Sequence, residues 1–131
     1  MLKAPNIIFS KTDTLAELPV RDSISNAGYI FKSIETKIIP DGKSILVDTG
    51  LKIEDIHKGV WATIFGLPEL EEKNITTHQI IDNRFKGNLK IRLYNNSDSS
   101  YLINKGDRIA QIAYFPLLTI EPEFKNEQPL Q

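Results

Sequence analysis

The chain of 131 residues contains no cysteine, which excludes disulfide frameworks and thiolate metal sites. Histidine is scarce as well: His57 and His78 stand far apart with no ligand spacing around them, and read as exposed or half-buried loop residues. A formal net charge of -1 leaves no basic excess of the kind nucleic-acid-binding surfaces carry. No apolar run approaches the roughly 20 residues that a membrane-spanning helix needs. The N-terminal stretch "MLKAPNIIFSK" interrupts its apolar character with Pro5 and Asn6, unlike a signal peptide. These absences point to a soluble protein of the cytoplasm or another intracellular compartment, with neither nucleic acid nor membrane as a partner.

What is present is an ordinary globular composition, 40% hydrophobic and 25% charged. The length suits a single domain over residues 1–131, with a core from about 5 to 117 and an arm over 118–131. The arm carries Pro122 and Pro129 and no glycine, so an extended segment is expected there. Strand signals dominate the rest. "NLKIRLYNN" alternates Leu89, Ile91 and Leu93 with Lys90, Arg92 and Tyr94, the period of a half-buried strand. "SYLINKGDRIAQIAYF" reads as two strands joined through Lys105-Gly106-Asp107, where Gly106 supplies a positive φ. "TKIIPDGKSILVDTGLKI" holds apolar runs punctuated by turn residues at Pro40-Asp41-Gly42 and again at Asp48-Thr49-Gly50. "PELEEK" predicts one short helix, with Pro68 pre-set for a first turn and Glu69, Glu71 and Glu72 near the positive end of its dipole. Strands this closely spaced, with turns between them, predict an all-β barrel or sandwich. The Lys-, Asn- and Ile-rich composition is of the kind an AT-rich genome encodes, which points to a viral, phage or mobile-element source.

Four stretches in order resemble the trimeric dUTPases, relatives of the dCTP deaminases. "NAGYIFKS" (26–33) is similar to that family's first motif and "DGKSILVDTGLKI" to the strand pair after it. "QIIDNRFKGN" is similar to the third motif, and "INKGDRIAQI" (103–112) to the fourth. The resemblance runs from about Asn26 to Phe115. It implies a jelly-roll-like β-barrel with one short helix, a homotrimer with active sites between subunits, and a C-terminal arm that crosses to a neighbour.

The family's reaction, dUTP to dUMP and pyrophosphate, needs a base for water, Mg²⁺ on the triphosphate, donors for the phosphates and a pocket for uracil. By the resemblance, Asp82 stands where the third motif's aspartate orients the attacking water and touches the 3′-hydroxyl. Phe85 stands where an aromatic ring packs on the deoxyribose, and Gly87 also matches. On residue pattern alone, Asp82 is a solvated hairpin aspartate beside a core phenylalanine. Gln111 of the fourth motif is in place to serve the phosphates, or simply to build the barrel. Thr77 and Gln79 occupy positions that are glycines in the uracil-reading segment. Other positions depart. Ile30 replaces the first motif's metal-holding aspartate, and isoleucine cannot bind a hard cation. Aligned from Gly59, Leu67, Pro68 and Glu69 fall where an Arg-Ser-Gly stretch is expected ahead of the helix. The glycine-rich fifth motif is absent: the last glycine is Gly106, the last arginine Arg108, and the arm offers Lys125 as a cation.

Two function classes follow. In the first, a dUTPase-fold trimer without efficient hydrolysis acts by binding a deoxyuridine nucleotide, a partner protein or copies of itself, with no metal site and no cofactor. In the second, the chain is an active, divergent Mg²⁺-dependent dUTP diphosphatase with Asp82 as base, Asp22 or Asp107 replacing the lost Mg²⁺ ligand. A deaminase-like role has no residue in its favour.

Overall fold

In the computed structural model, residues 6–23, 28–126 and 130 are described. The chain is nearly all-β, and the expected helix is present as one turn. The elements are β1 (Ile7–Lys11), β2 (Tyr29–Lys32), β3 (Lys37–Ile39), β4 (Ser44–Ile56), β5 (Val60–Phe65), α1 (Pro68–Glu71), β6 (Ile75–Thr76), β7 (His78–Ile81), β8 (Gly87–Asn95), β9 (Tyr101–Ile103) and β10 (Arg108–Pro116). One antiparallel sheet runs β1-β4-β8-β6, a second runs β2-β10-β5-β7, and β3 pairs with β9. The core is aliphatic: Val47, Ile53, Ile64, Ile91, Ile103 and Ile112 are each wholly buried. β8 shows the reason most plainly. Leu89, Ile91 and Leu93 face inward and Lys90, Arg92 and Tyr94 face water, as the period-2 pattern requires.

Three turn readings change their meaning in three dimensions. The Asp48-Thr49-Gly50 step is not a turn between strands but a bulge inside the long β4, where its register against β8 shifts. The Thr49 hydroxyl there donates to the buried Leu89 carbonyl at 2.7 Å, and Gly50 takes a φ of +71°. Gly106 does adopt a positive φ, +89°, but the strands it joins belong to different sheets, so the connection is not a hairpin. Residues 82–86 likewise leave β7 in one sheet and enter β8 in the other, so Asp82 is not a hairpin residue. Local turn chemistry marks a reversal of direction; it carries no information on which strand receives the chain next. Beyond β10 the described arm residues form no regular secondary structure and are exposed, Phe124 at 88%. The last main-chain anchor among them is the Leu117 N–H on the Gly59 carbonyl at 2.9 Å.

Candidate functional site

The connection between the two sheets at 82–86 is shaped by its own residues. The Phe85 N–H donates to the Asp82 carbonyl at 3.0 Å, and the Arg84 N–H donates to Asp82 Oδ1 at 3.0 Å. This is an Asx-type turn, in which the aspartate side chain mimics a backbone acceptor. Gly87 then leaves at a φ of +126°, a conformation only glycine adopts at little cost. Asp82, Phe85 and Gly87 are therefore brought together by local bonding. Phe85 is half-buried and packs against the core.

Arg84, two residues from Asp82, is the feature that the pattern reading passed over. Its guanidinium turns back on the carboxylate, with Nε 3.0 Å from Oδ1 and 3.1 Å from Oδ2, and Nη2 2.6 Å from Oδ2. The Asp82 side chain is 27% exposed and that of Arg84 86%. The guanidinium hydrogen bonds, then the Arg84 N–H, hold the Asp82 carboxyl below the usual carboxylate range, and the Arg84 pKa rises in return. Asp82 is thus ionised at neutral pH with both oxygens engaged, a poor arrangement for accepting a proton from water. The available signal in the sequence was the i, i+2 opposite charge within "DNR".

Gln111 stands elsewhere. The register places Ile30 opposite Gln111, Gln111 opposite Phe65, and Phe65 opposite His78, one row across the second sheet. Asp82 lies four residues further along from His78, about 13 Å at strand spacing. Within one chain the Gln111 row and the Asp82 connection therefore lie apart. Gln111 Nε2 donates to the Gly66 carbonyl at 2.9 Å, tying β10 to the segment ahead of the helix. A side chain at Gly28 would collide with Gln111, its Cβ falling 2.1 Å from Oε1. The neighbouring residues 24–27 of the first motif lie outside the described ones. Thr77 is buried at the corner where the chain passes from β6 to β7, and Gln79 is half-buried in β7, its carbonyl 3.4 Å from the Thr63 hydroxyl.

The helix begins at Pro68 with Leu67 as its N-cap, so Pro68 and Glu69 lie within the helix rather than ahead of it. The three residues ahead of it are Phe65, Gly66 and Leu67, the last buried at 2%. Neither register offers an arginine or a serine.

For a magnesium ion, which the family resemblance implies, the candidate positions among the described residues are apolar or already engaged. Ile30 is apolar and 8% exposed at the position in question. Asp22 is paired with Arg108, and the Asp107 carboxylate accepts the Asn104 N–H at 2.8 Å. Among the described residues no three His, Cys, Asp or Glu side chains cluster to hold a metal. Nor, among them, is any helix long and apolar enough to cross a membrane.

Comparison with known proteins gives a consistent family. The dUTPase family model matches residues 14–131. A deoxyuridine 5'-triphosphate nucleotidohydrolase of Paramecium bursaria Chlorella virus 1 is 33% identical over 116 residues, 87% of this chain and 82% of that protein. The like-named protein of Yarrowia lipolytica is 33% identical over 118 residues, 88% of this chain and 74% of that one. Among solved structures, a mutant dUTPase of Staphylococcus bacteriophage 80alpha with dUpNHpp superposes with a TM-score of 0.82 at 21% identity, covering 96% of this chain and 92% of that one. The dUTPase of phage phi11 of S. aureus gives 0.80 at 21% identity, covering 96% and 98%. With a family match across most of its length, relatives one-third identical and the two-sheet architecture in common, this chain belongs to the dUTPase family.

Proposed function

We propose that the chain binds a deoxyuridine nucleotide at the 82–87 connection and turns dUTP over slowly or not at all, working as a homotrimer in which the Gln111 row of one subunit completes the site of another. The observation that carries this reading is the state of Asp82, its carboxylate occupied on both oxygens by Arg84. The apolar Ile30 supports it, as does the lack of an arginine or serine ahead of the helix. Phe85 offers a ring to the sugar, and Asp82 an acceptor for its 3′-hydroxyl.

A second reading, hydrolysis of dUTP to dUMP and pyrophosphate with Asp82 as base, has direct support from the relatives, which are named as nucleotidohydrolases. The names favour hydrolysis; the side chains at the site favour binding without it. One assay separates them. Purified protein is given dUTP with Mg²⁺ and pyrophosphate release is followed. Turnover at ordinary enzymatic rates, abolished by Asp82→Ala, establishes the second reading and overturns the first. Under the first, calorimetry detects dUMP and dUTP binding, and Phe85→Leu, which keeps the apolar packing but removes the ring face, weakens it about 3- to 10-fold. Absence of heat with every deoxynucleotide, together with absence of turnover, would leave a partner protein or self-assembly as the remaining role.

A further inference from the structure

Arg84 has more donors than Asp82 uses. A guanidinium carries five N–H groups in a rigid fork. The bonds to Asp82 engage Nε and one Nη2 hydrogen, which leaves the outer edge, both Nη1 hydrogens and the other Nη2 hydrogen, directed away from the carboxylate. That side chain is 86% exposed, so the outer edge faces water. The inner edge meanwhile orients the fork at the connection that carries the sugar-contacting candidates Asp82 and Phe85, without locking it. A pre-aligned, planar, doubly hydrogen-bonding cation is what recognition of a phosphate monoester requires, because less order is lost on binding. The segment ahead of the helix (65–67) offers no cation to compete for that role.

We propose that Arg84 is the phosphate-recognising residue of this site, oriented by Asp82 and presenting its outer edge to a phosphate monoester on the deoxyribose of the bound nucleotide. This deepens the binding reading above and rests on it. Asp82 then acts as a positioning residue for the arginine as well as a sugar contact, and the pair forms one recognition unit. An exposed ion pair is only weakly held in water, so the guanidinium has freedom to adjust as the phosphate arrives. The sugar carries two hydroxyls that a phosphate can esterify, so both monophosphates belong in the test.

The test is calorimetry on the full chain with deoxyuridine, its 5′-monophosphate and its 3′-monophosphate, for the wild type, Arg84→Ala, Arg84→Lys and Lys86→Ala. The quantity read is the ratio of monophosphate to deoxyuridine affinity, which cancels losses at the base for both esters and losses at the 3′-hydroxyl for the 5′-ester alone. The wild-type ratio is expected at about tenfold for one of the two esters. Arg84→Ala should reduce it to within about twofold of unity, and Arg84→Lys should restore part of it, since a point charge lacks the fork. Lys86→Ala should leave most of the ratio in place. Deoxyuridine binding with a ratio that Arg84→Ala does not change, or that Lys86→Ala lowers equally, overturns the proposal and spares the binding reading. No binding of any of the three ligands to the wild type overturns both.

Discussion

Tyr114, on β10, is partly buried against the core, with its ring edge-on to Tyr29 at 5.5 Å and 65°. Burial, and secondarily the nearby Tyr29, pushes its pKa well above the usual phenol value. The folded form therefore holds this proton more tightly than the unfolded chain does. The resulting stabilisation is complete below the ordinary phenol pKa near 10 and is lost as pH rises from there towards the folded value. In an alkaline titration followed at the phenolate absorbance, Tyr114 should ionise at higher pH than an exposed tyrosine, and Tyr114→Phe should remove that part of the alkaline destabilisation. Ionisation of all four tyrosines at about pH 10 while the fold persists would contradict the packing. Asp82 shows the opposite case at the same scale, its proton given up more easily because a cation sits on both oxygens.

Among the elements, β4 bears the most specific demand. Its bulge needs Gly50 at a φ of +71°, and a Cβ there would lie 2.9 Å from that of Ala16 and 3.1 Å from the Ile34 side chain. Gly50→Ala should cost about 1–3 kcal/mol, strain and crowding acting together, read as a lowered urea midpoint at unchanged slope. Gly42, also at positive φ but with open space around it, should tolerate alanine better. The strand pattern of β8, the helix opening at Pro68 and the tight step at Gly106 were all legible, because each depends on residues close in sequence. The bulge was not, since Asp-Thr-Gly carries the same local chemistry as a turn and only pairing with β8 distinguishes them. The same division runs through the site. Asp82, Phe85 and Gly87 could be grouped by spacing because local bonds group them. The separation of Gln111 from Asp82 came from strand order. Arg84 was readable as a charge but not as a partner, because an i, i+2 contact forms only when the chain turns there.

For the whole molecule, the proposed site is divided along the chain in a way that suits assembly. Gln111 and its row stand far from Asp82 along the second sheet, and several large apolar side chains on the described surface are uncovered, among them Ile38 at 60% and Ile80 at 60%. The family resemblance implies three copies around an axis, and the separation of Gln111 from Asp82 suits a site closed between two of them. Light scattering should return about three times the 14.9 kDa chain mass. A monomer would require the Asp82 connection to work alone.

The connection at 82–86 also sets a timescale. Its amides at Arg84 and Phe85 are held by single short-range bonds to one residue, Asp82, next to water. The amides of β10 are locked between two strands, β2 and β5. Hydrogen exchange at the first pair proceeds through small local openings, and at the second through loss of the sheet. A nucleotide bridging the two would join a fast half to a slow one, and most of what it spends in ordering the protein would be spent at a few residues around Arg84.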